Sequence, residues 1–429
     1  MIEELFASGL DYDRSSIIKV IGVGGAGCNA VKNMFVEGIE GVNFMICNTD
    51  SQAMQSNPVP IKIQLGVTLT QGRGAGNLPE QGEQAAIENL DDVRDLLEGT
   101  TKMVFITAGM GGGTGTGAAP VIAKLARELN ILTIAVVTIP SRQEGRRRYD
   151  QALAGIEKLK EHVDSMLVVS NEKLHKIYGN LPASQAFKKA DNIITTAVKG
   201  VAEIITLHGN INIDFADVST VMAGSGVFLM GTGRADGPNR AMNAVRLALE
   251  SPLLDSSSIR GTKDILLNII SGTEEVTMSE IGEIIDYLQE EAGQEATIIW
   301  GNGNDLKLEN QISVTIIATG FDINPNRIFQ APVEEVELLS EDDSFDINFD
   351  DEFSLNMEEP VVDTPEPIIR PQKQPESPKS KWKSGKEKKQ AGKKTGARNG
   401  DTDGWFSRQF NRFFDDKENS DASVSEDMK

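Results

Sequence analysis

Two glycine-rich segments are the residues best suited to chemistry, because each follows an apolar run and precedes a helical pattern. In the first, IKVIGVGGAGCNAV, Gly22, Gly24 and Gly27 are spaced as G-x-G-x-x-G. Glycine lets a backbone turn tightly and approach a pyrophosphate, while the following helix N-terminus presents free N–H groups. This spacing alone is typical of NAD-binding proteins, and Asp50 stands where a ribose-binding acid is expected. The first segment indicates a phosphate site without identifying the nucleotide.

The second segment is denser in glycine and changes that interpretation. Residues 109–117 lie within MVFITAGMGGGTGTGAAP, where Thr114 and Thr116 add hydroxyl donors for phosphate oxygens. A flexible surface turn is the alternative, but flexibility does not require so much glycine between a strand and a helix. A third loop, GRGAGN at residues 72–77, supplies further backbone donors. Three such loops exceed what a dinucleotide-dependent dehydrogenase needs, and the G-x-x-x-x-G-K-[ST] sequence of P-loop NTPases does not occur.

Strand-like runs alternating with helical patterns must position these loops. The predicted strands of the first half span residues 17–23, 42–47, 103–107, 132–138 and 166–169, which favours a parallel sheet covered by helices. A long helix is predicted over residues 184–207, where an apolar stripe recurs every three or four positions: Phe187, Ala190, Ile194, Val198, Val201 and Ile205. A smaller α/β domain is predicted to follow, with strands at 227–230, 265–270, 296–300 and 312–318 and helices at 239–250 and 279–291.

Composition sets the class of protein. The 429 residues suffice for two domains and a tail. A formal net charge of -22 argues against a surface built for nucleic acid. The only cysteines, Cys28 and Cys47, give neither a disulfide framework nor a metal cluster and suit a reducing cytosol. No signal peptide is recognised and no apolar stretch reaches the ~20 residues of a membrane span, so a cytoplasmic protein is predicted.

The character of the chain changes after about residue 323. Residues 333–367 hold fourteen acidic and no basic side chains, and residues 368–398 hold eleven basic and two acidic. Neither block can bury enough apolar surface to fold alone. The basic block at 379–394 is interpreted as solvated linker, with weak attraction to DNA or an acidic membrane as the alternative.

The string GMGGGTGTG at residues 109–117 resembles the loop shared by tubulin and its bacterial relative FtsZ, the cell-division GTPase. GGAGCN at 24–29 and NTD at 48–50 resemble the first two loops of that family. The resemblance runs in register from about residue 17 to 320, and the FtsZ form fits better in chain length and later motifs. It implies a tubulin-like α/β fold with a Rossmann-like, parallel-sheet GTP-binding domain over residues 1–182. A central connecting helix over 183–208, a smaller α/β C-terminal domain with a catalytic loop over 209–322, a disordered charged linker over 323–400 and a terminal partner-binding peptide over 401–429 complete the implied organisation.

The resemblance also implies GTP or GDP as the nucleotide, with Mg²⁺ bound mainly through its phosphates. The implied nucleotide contacts are Gly24, Gly25, Ala26, Gly27, Cys28, Asn29, Asp50, Ala75, Gly76, Asn77, Gly111, Gly112, Gly113, Thr114, Gly115, Glu144, Arg148, Asn171, Phe187 and Asp191. Phe187 and Asp191 are four apart on one helix face. The ring can stack on a purine while the carboxylate accepts from the N1–H and amine of guanine, a donor pair that adenine lacks. Without the resemblance, Phe187 is a core residue and Asp191 an exposed helix acid.

Residues 210–217, NINIDFAD, resemble the FtsZ loop that reaches into the nucleotide site of the neighbouring subunit. Asp214 and Asp217 stand three apart at a predicted helix start, where both can polarise a water beside a Mg²⁺-bound γ-phosphate. Helix capping is the structural alternative. With Asn212 they are the implied catalytic residues. A copy whose loop enters the site of its neighbour is added head to tail, and head-to-tail contacts extend into filaments. The resemblance therefore implies a polymerising cytoskeletal GTPase of the bacterial division ring at midcell, whose hydrolysis controls filament turnover.

The terminal residues 404–414, GWFSRQFNRFF, stand where FtsZ proteins carry a peptide that docks on membrane-anchoring adaptors. This peptide lacks the proline and leucine-arginine pair usual in the family. Docking on an adaptor is favoured, and direct binding to an anionic membrane is the alternative. Division regulators are further expected partners, and no specific nucleic acid is.

Two other classes of function remain open. An NAD-dependent oxidoreductase explains the first loop only, and His162, His175 and His208 are each interpreted as ordinary helix or turn residues. A GTP-binding adaptor that does not polymerise is the other, against which intact Asp214 and Asp217 argue.

Overall fold

The computed structural model describes residues 16–206, 209–251 and 259–321, with the side chains of Ala183, Ser184 and Phe187 outside that description. The strands are β1 (Ile18–Val23), β2 (Val42–Asn48), β3 (Ile61–Gln64), β4 (Met103–Gly109), β5 (Leu132–Ile139), β6 (Ser165–Ser170), β7 (Gly226–Val227), β8 (Leu229–Ala235), β9 (Asp264–Ser271), β10 (Thr297–Asn304) and β11 (Ile312–Thr319). The helices are α1 (Gly24–Glu37), α2 (Ser51–Gln55), α3 (Val67–Thr70), α4 (Pro79–Glu88), α5 (Leu90–Leu97), α6 (Thr114–Glu128), α7 (Arg146–Lys160), α8 (Asn171–Tyr178), α9 (Ala183–Thr206), α10 (Phe215–Met222), α11 (Arg240–Leu249) and α12 (Met278–Ala292). The predicted linker, the terminal peptide and His208 lie outside the described residues.

Seven strands form a parallel sheet in the order β3-β2-β1-β4-β5-β6-β7. Every residue of β1 and of β5 is buried, as expected for parallel strands covered on both faces, which read as continuous apolar runs. The parallel sheet is thus confirmed. The chain leaves β1 toward β2 on one side and later returns to β4 on the other. Ligands bind at the carboxyl edge of such a switch point.

Helices cover both faces of this sheet. On one face α1 and α9 pack over a cluster of buried apolar residues, and on the other α4, α5, α6 and α7 pack over a second cluster. The apolar stripe expected on the long helix is confirmed at Ile194, Val198 and Val201, all of which are buried in the first cluster. A stripe at this spacing places one face of α9 on this cluster from Ile194 to Val201.

A second, four-stranded sheet has the order β10-β9-β11-β8. Its β10 and β9 are parallel, whereas β11 runs antiparallel to both β9 and β8. Residues alternate along β9: Ile265 and Leu267 pack under α11 and α12, and Leu266 belongs to the cluster that contains α9. On α9 itself, a Cβ atom at Gly200 would come within 2.1 Å of the Met230 side chain. The long helix therefore packs between the two sheets.

The structure divides the apolar run at residues 227–230, which the sequence predicts as a single strand. Gly226 and Val227 form β7 and extend the first sheet beside β6, whereas β8 begins at Leu229 in the second sheet. Phe228 between them is fully buried. One run is apolar throughout because both sheets and α9 bury it, and periodicity carries no mark of where the chain changes sheet. The sequence also gives no prediction for β3, an edge strand of four residues.

Candidate functional site

The first two glycine-rich loops lie side by side at the carboxyl edge of the first sheet. β1 and β4 are neighbours whose last paired residues are Val23 and Ala108. α1 starts directly after β1, and α6 starts at Thr114, five residues after β4 ends. The first N–H groups of a helix have no partner within the helix. Two helix N-termini thus offer donors and positive dipole to one crevice, which suits an anionic ligand.

Some of the loop glycines are fixed by packing within the protein. A Cβ atom at Gly27 would stand 2.3 Å from the Thr107 carbonyl oxygen, and one at Gly117 would stand 1.9 Å from the Pro79 carbonyl oxygen. Neither approach is compatible with any larger side chain. These glycines hold α1 against β4 and α6 against α4, and so set the positions of both helix N-termini.

Gly25 and Gly112 are different, because the fold does not require glycine at either position. A Cβ atom there would meet no protein atom within 4 Å, and neither residue has a positive φ. Both line the crevice. Glycine at these positions leaves the backbone accessible to a group that approaches it closely, as a phosphate does.

The third glycine-rich loop packs against the second. A Cβ atom at Gly113 would come within 2.9 Å of the Ala75 Cβ. Nearby, the Thr49 and Thr114 hydroxyls are hydrogen bonded at 2.7 Å, which joins the end of β2 to the start of α6. The three loops predicted from sequence therefore form one continuous surface.

The crevice encloses about 350 Å³. Ten predicted nucleotide contacts line it: Gly25, Ala26, Gly112, Gly113, Thr114, Gly115, Glu144, Arg148, Asn171 and Asp191. Nine others are placed in the flanking loops and helix starts, outside this lining: Gly24, Gly27, Cys28, Asn29, Asp50, Ala75, Gly76, Asn77 and Gly111. The side chain of Phe187 is outside the described part of the chain. Some further lining residues were not predicted as nucleotide contacts: Thr107, Ala108, Met110, Thr138, Pro140, Ala190 and Ile194. Their signal in the sequence is their position at or after strand ends and on the α9 stripe.

The Cys28 thiol lies in the core and not in the crevice. Its Sγ is 3.7 Å from the carbonyl oxygens of Gly22 and Cys47, and the side chain is 3% exposed. Burial raises the pKa of Cys28 to about 12, so the thiol stays protonated. Cys28 can therefore reach a nucleotide only through its backbone.

The Asp50 carboxylate caps α2. Its Oδ1 accepts hydrogen bonds from the Gln52 N–H at 3.0 Å and the Ala53 N–H at 3.1 Å. This cap fixes the end of β2, and Asp50 also pairs with Arg73 across an isolated antiparallel bridge. Asp50 therefore holds the third loop beside the end of β2.

Three polar side chains of the crevice lining form one network: Glu144, Arg148 and Asn171. Glu144 Oε1 accepts from the Asn171 amide at 3.2 Å and from the Ser141 N–H at 3.0 Å. Glu144 Oε2 lies 3.4 Å from an Arg148 guanidinium nitrogen. The network fixes the orientation of these three side chains in the crevice lining.

Asp191 supplies a half-buried carboxylate at the α9 wall of the crevice. Burial raises its pKa to about 6. A carboxylate removed from water needs donors to stabilise its charge, and a ligand with adjacent N–H groups provides them. The fold thus places a carboxylate in the same crevice as the two helix N-termini.

Asp214 and Asp217 form the N-terminal capping box of α10. Asp214 Oδ1 accepts from the Asp217 N–H at 2.9 Å, and Asp217 Oδ2 accepts from the Asp214 N–H at 3.2 Å. Asn212 Oδ1 accepts from the Gly209 N–H at 2.6 Å. Capping and catalysis are compatible here, because each carboxylate uses only one oxygen in the cap and Asp214 is exposed.

Within one chain this acidic pair is far from the crevice. Asp191 lies near the start of α9, and the pair follows the end of that helix at Thr206. From Asp191 to Thr206 the helix rises about 22 Å at 1.5 Å per residue. No side chain spans that distance, so a single chain does not bring the carboxylates to its own crevice.

Among residues 16–206, 209–251 and 259–321, no group of three or more His, Cys, Asp or Glu side chains is arranged to hold a metal ion. No helix in the described ranges is long and apolar enough to cross a membrane.

Comparison with known proteins agrees with the geometry. The profile of the Tubulin/FtsZ family, GTPase domain, matches residues 17–179, and that of the FtsZ family, C-terminal domain, matches residues 226–322. The chain is 47% identical over 312 residues to the cell division protein FtsZ of Porphyromonas gingivalis, covering 72% of this chain and 68% of that protein. A solved structure described as an empty FtsZ dimer from M. jannaschii aligns with a TM-score of 0.66 at 42% identity, covering 74% of this chain and 92% of that one. CetZ2 from Haloferax volcanii, a protofilament with GTPγS bound, shares the fold with a TM-score of 0.60 at 20% identity over 70% of this chain and 92% of its own.

Proposed function

The chain belongs to the FtsZ family of tubulin-like cell-division GTPases, and we propose that each of its active sites is completed by a second copy of the chain. Residues 1–182 form the domain that binds the nucleotide, and residues 209–322 form the domain that carries the catalytic loop. Residues 183–208 form the helix that connects these two domains. One observation carries this proposal: the nucleotide crevice and the acidic pair of α10 lie at opposite ends of α9. When copies stack head to tail, the acidic pair of one subunit lies at the nucleotide crevice of the next.

GTP occupies the crevice with its phosphates on the glycine loops and its base at α9. The backbone N–H groups at Gly25, Gly112 and the start of α6 donate to the phosphate oxygens. The network of Glu144, Arg148 and Asn171 holds the ribose region. Asp191 accepts from guanine N1–H and the exocyclic amine, which excludes adenine because adenine offers no such pair of donors.

Hydrolysis needs a water molecule placed in line with the γ-phosphorus. Asp214 and Asp217 of the added subunit orient this water and accept its proton as the new P–O bond forms and the bond to the β-phosphate oxygen breaks, releasing GDP. Asn212 holds the start of the loop through the Gly209 N–H. If Mg²⁺ is bound through the phosphates, it would supply positive charge at the γ-phosphate. Among the lining side chains, the Thr114 hydroxyl has the oxygen chemistry to support such an ion.

Assembly and hydrolysis are coupled in this arrangement. A head-to-tail contact uses two different surfaces, so it does not close on itself and extends into filaments. The γ-phosphate lies at the contact, and its loss weakens the contact after hydrolysis. This coupling makes filament turnover depend on GTP and suits a scaffold at the division site in the cytoplasm.

The first test is the GTPase rate per subunit as a function of protein concentration. A shared site requires the rate per subunit to rise steeply from near zero at low concentration and then level off as filaments form. The same samples give light scattering after GTP addition, which must rise over the same range. A rate per subunit that does not depend on concentration would exclude the shared site.

The raised pKa of Asp191 predicts acid-sensitive GTP binding. Guanine binds the ionised carboxylate of Asp191. Because the pKa of this carboxyl group is about 6, it becomes protonated at lower pH when no nucleotide is bound. Affinity for a slowly hydrolysed GTP analogue should therefore fall as pH drops below 6, by at most about tenfold per pH unit. Titrations from about pH 5 to about pH 8 measure it. Asp191→Asn is the control, because it keeps the titration of the nucleotide phosphate and removes that of the carboxyl group. Equal pH dependence in both proteins would contradict the assignment.

We assign residues 404–414 to the docking of a membrane-anchoring adaptor, from sequence alone. Four phenylalanines and a tryptophan with two arginines suit a helix that enters a groove. Co-sedimentation of the chain with anionic vesicles, compared with the chain ending at residue 403, tests this. Adaptor docking predicts little binding by either protein without a partner, and strong binding that is lost on truncation would instead indicate direct membrane attachment.

A further inference from the structure

A polar contact joins α1 to α9 one helical turn from the nucleotide crevice. The Asn33 amide nitrogen of α1 donates to Asn192 Oδ1 at 2.9 Å and to Thr195 Oγ1 at 3.1 Å. An amide nitrogen carries two hydrogens, so both bonds form together. The Thr195 hydroxyl in turn donates to the Asp191 carbonyl oxygen at 2.9 Å. A continuous chain of hydrogen bonds therefore runs from α1 to the residue that faces the base.

The position of this contact on each helix gives it a consequence for binding. Asn33 lies four residues after Asn29, on the same face of the helix whose N-terminus faces the phosphates. Thr195 lies four residues after Asp191, on the same face of α9. The two helices hold opposite ends of one ligand, and the contact fixes their separation next to that ligand.

The hydrogen bonds to Thr195 lie among buried apolar side chains of α9. Thr195 is 1% exposed, and its neighbours Ile194 and Val198 belong to the buried cluster. Apolar packing tolerates small shifts of one helix along another, whereas hydrogen bonds require fixed distances and angles. The Asn33 amide thus selects one register of α9 against α1.

We propose that Asn33, acting through Thr195 and Asn192, is a positioning residue that sets the guanine selectivity of the site. It holds α9 where the Asp191 carboxylate reaches the base while the phosphates stay on the glycine loops. The inference rests on the proposed GTP site and identifies how that site sets its specificity.

Inosine triphosphate (ITP) reports this positioning, because it lacks the exocyclic amine and keeps N1–H and the phosphates. A well-placed carboxylate makes GTP bind about 10- to 100-fold more tightly than ITP. Thr195→Val keeps the side-chain shape and removes both hydrogen bonds of the hydroxyl. The quantity to measure is the ratio of GTP affinity to ITP affinity, obtained on the full chain with slowly hydrolysed analogues of both nucleotides. We expect Thr195→Val to lower this ratio at least about fivefold, because GTP affinity falls more than ITP affinity.

Three further variants separate positioning from a general effect on α9. Thr196→Val is the matched control, since Thr196 donates to the Asn192 carbonyl at 2.8 Å on the same helix and has no hydrogen bond to α1 among the described residues. It should leave the ratio unchanged. Thr195→Ser keeps the hydroxyl and should show the wild-type ratio of GTP affinity to ITP affinity. Asn33→Ala, at a partly exposed position, should lower the ratio as Thr195→Val does, and it serves as the test if the valine variant does not fold.

The outcomes are distinguishable. A wild-type chain that binds GTP and ITP equally would remove the base contact at Asp191 and, with it, both this proposal and the proposed base recognition. A wild-type preference for GTP that persists in Thr195→Val or Asn33→Ala would overturn the positioning role alone. An equal loss in Thr196→Val would do the same, because it would assign the effect to the helix and not to the contact with α1.

Discussion

Replacing Asp214 with alanine is expected to lower GTP turnover by about 10²- to 10⁴-fold, the usual contribution of a positioned acid or base. GTP binding should be retained, because the crevice lies at the other end of α9 and contains none of the residues near Asp214. Phosphate release at saturating GTP, measured above the concentration at which the wild-type chain assembles, gives the first quantity. Equilibrium binding of a fluorescent GTP analogue gives the second.

The capping role of Asp214 requires its own control. Asparagine caps helices as well as aspartate does, whereas alanine costs about 1 kcal/mol of stability. Asp214→Asn should therefore keep the thermal stability of the wild type and still lose turnover, because an amide cannot take the proton of the attacking water. If Asp214→Asn turned over GTP at the wild-type rate, the residue would be a helix cap without a catalytic role.

Introducing valine at Gly112 is expected to leave the fold intact and to weaken GTP binding by at least about 100-fold. The fold has room for the side chain, because a Cβ atom there meets no protein atom within 4 Å and φ is not positive. The side chain enters the crevice and keeps phosphate oxygens from the loop. Losing two hydrogen bonds to a charged group costs about 3–6 kcal/mol, which exceeds a factor of 100.

The matched control for this variant is Gly282→Ala on α12. That glycine also has free space around its Cβ and no positive φ, but it does not line the crevice. It should bind GTP as the wild type does and gain about 0.5–1 kcal/mol of stability from its helical position. Wild-type GTP affinity in a folded Gly112→Val chain would contradict the placement of the phosphates on this loop.

The two variants together test the shared site directly. Asp214→Asn keeps the nucleotide crevice, and Gly112→Val keeps the acidic pair. Each should be inactive alone. Mixed in equal amounts, they should recover part of the wild-type turnover, because a Gly112→Val subunit can complete the GTP site of an Asp214→Asn subunit. A mixture as inactive as its components would exclude catalysis across a head-to-tail contact.

Much of the fold follows from the order of residues. The parallel sheet was predictable because strands buried on both faces are continuous apolar runs, and the helix α9 because its apolar stripe recurs with a helical period. The three glycine loops were recognisable for a similar reason, since glycine spacing between a strand and a helix is a local property. The division at Phe228 was not predictable, because a fully buried run gives no sign of which sheet it joins.

The assignment of individual site residues divides in the same way. Residue types and spacing singled out the lining residue Thr114, whereas Asp191 and Cys28 were expected from the family resemblance, and the fold turns the Cys28 thiol into the core. Residue types and spacing did not assign Thr107 or Thr138 to the site, although each is the last residue of a predicted strand; both line the crevice because β4 and β5 end beside it.

The sequence by itself determined the glycine loops, the acidic pair at the start of α10 and the long helix between them, because each of these is written in consecutive residues. Only the tertiary structure decided which glycines serve packing and which leave the backbone open, since that depends on atoms distant in sequence. It also decided that Asn33 of α1 meets Thr195 of α9, a contact between residues 162 positions apart. The separation of crevice and acidic pair by the length of α9 is likewise a property of the folded chain, because a rigid helix holds apart what it connects.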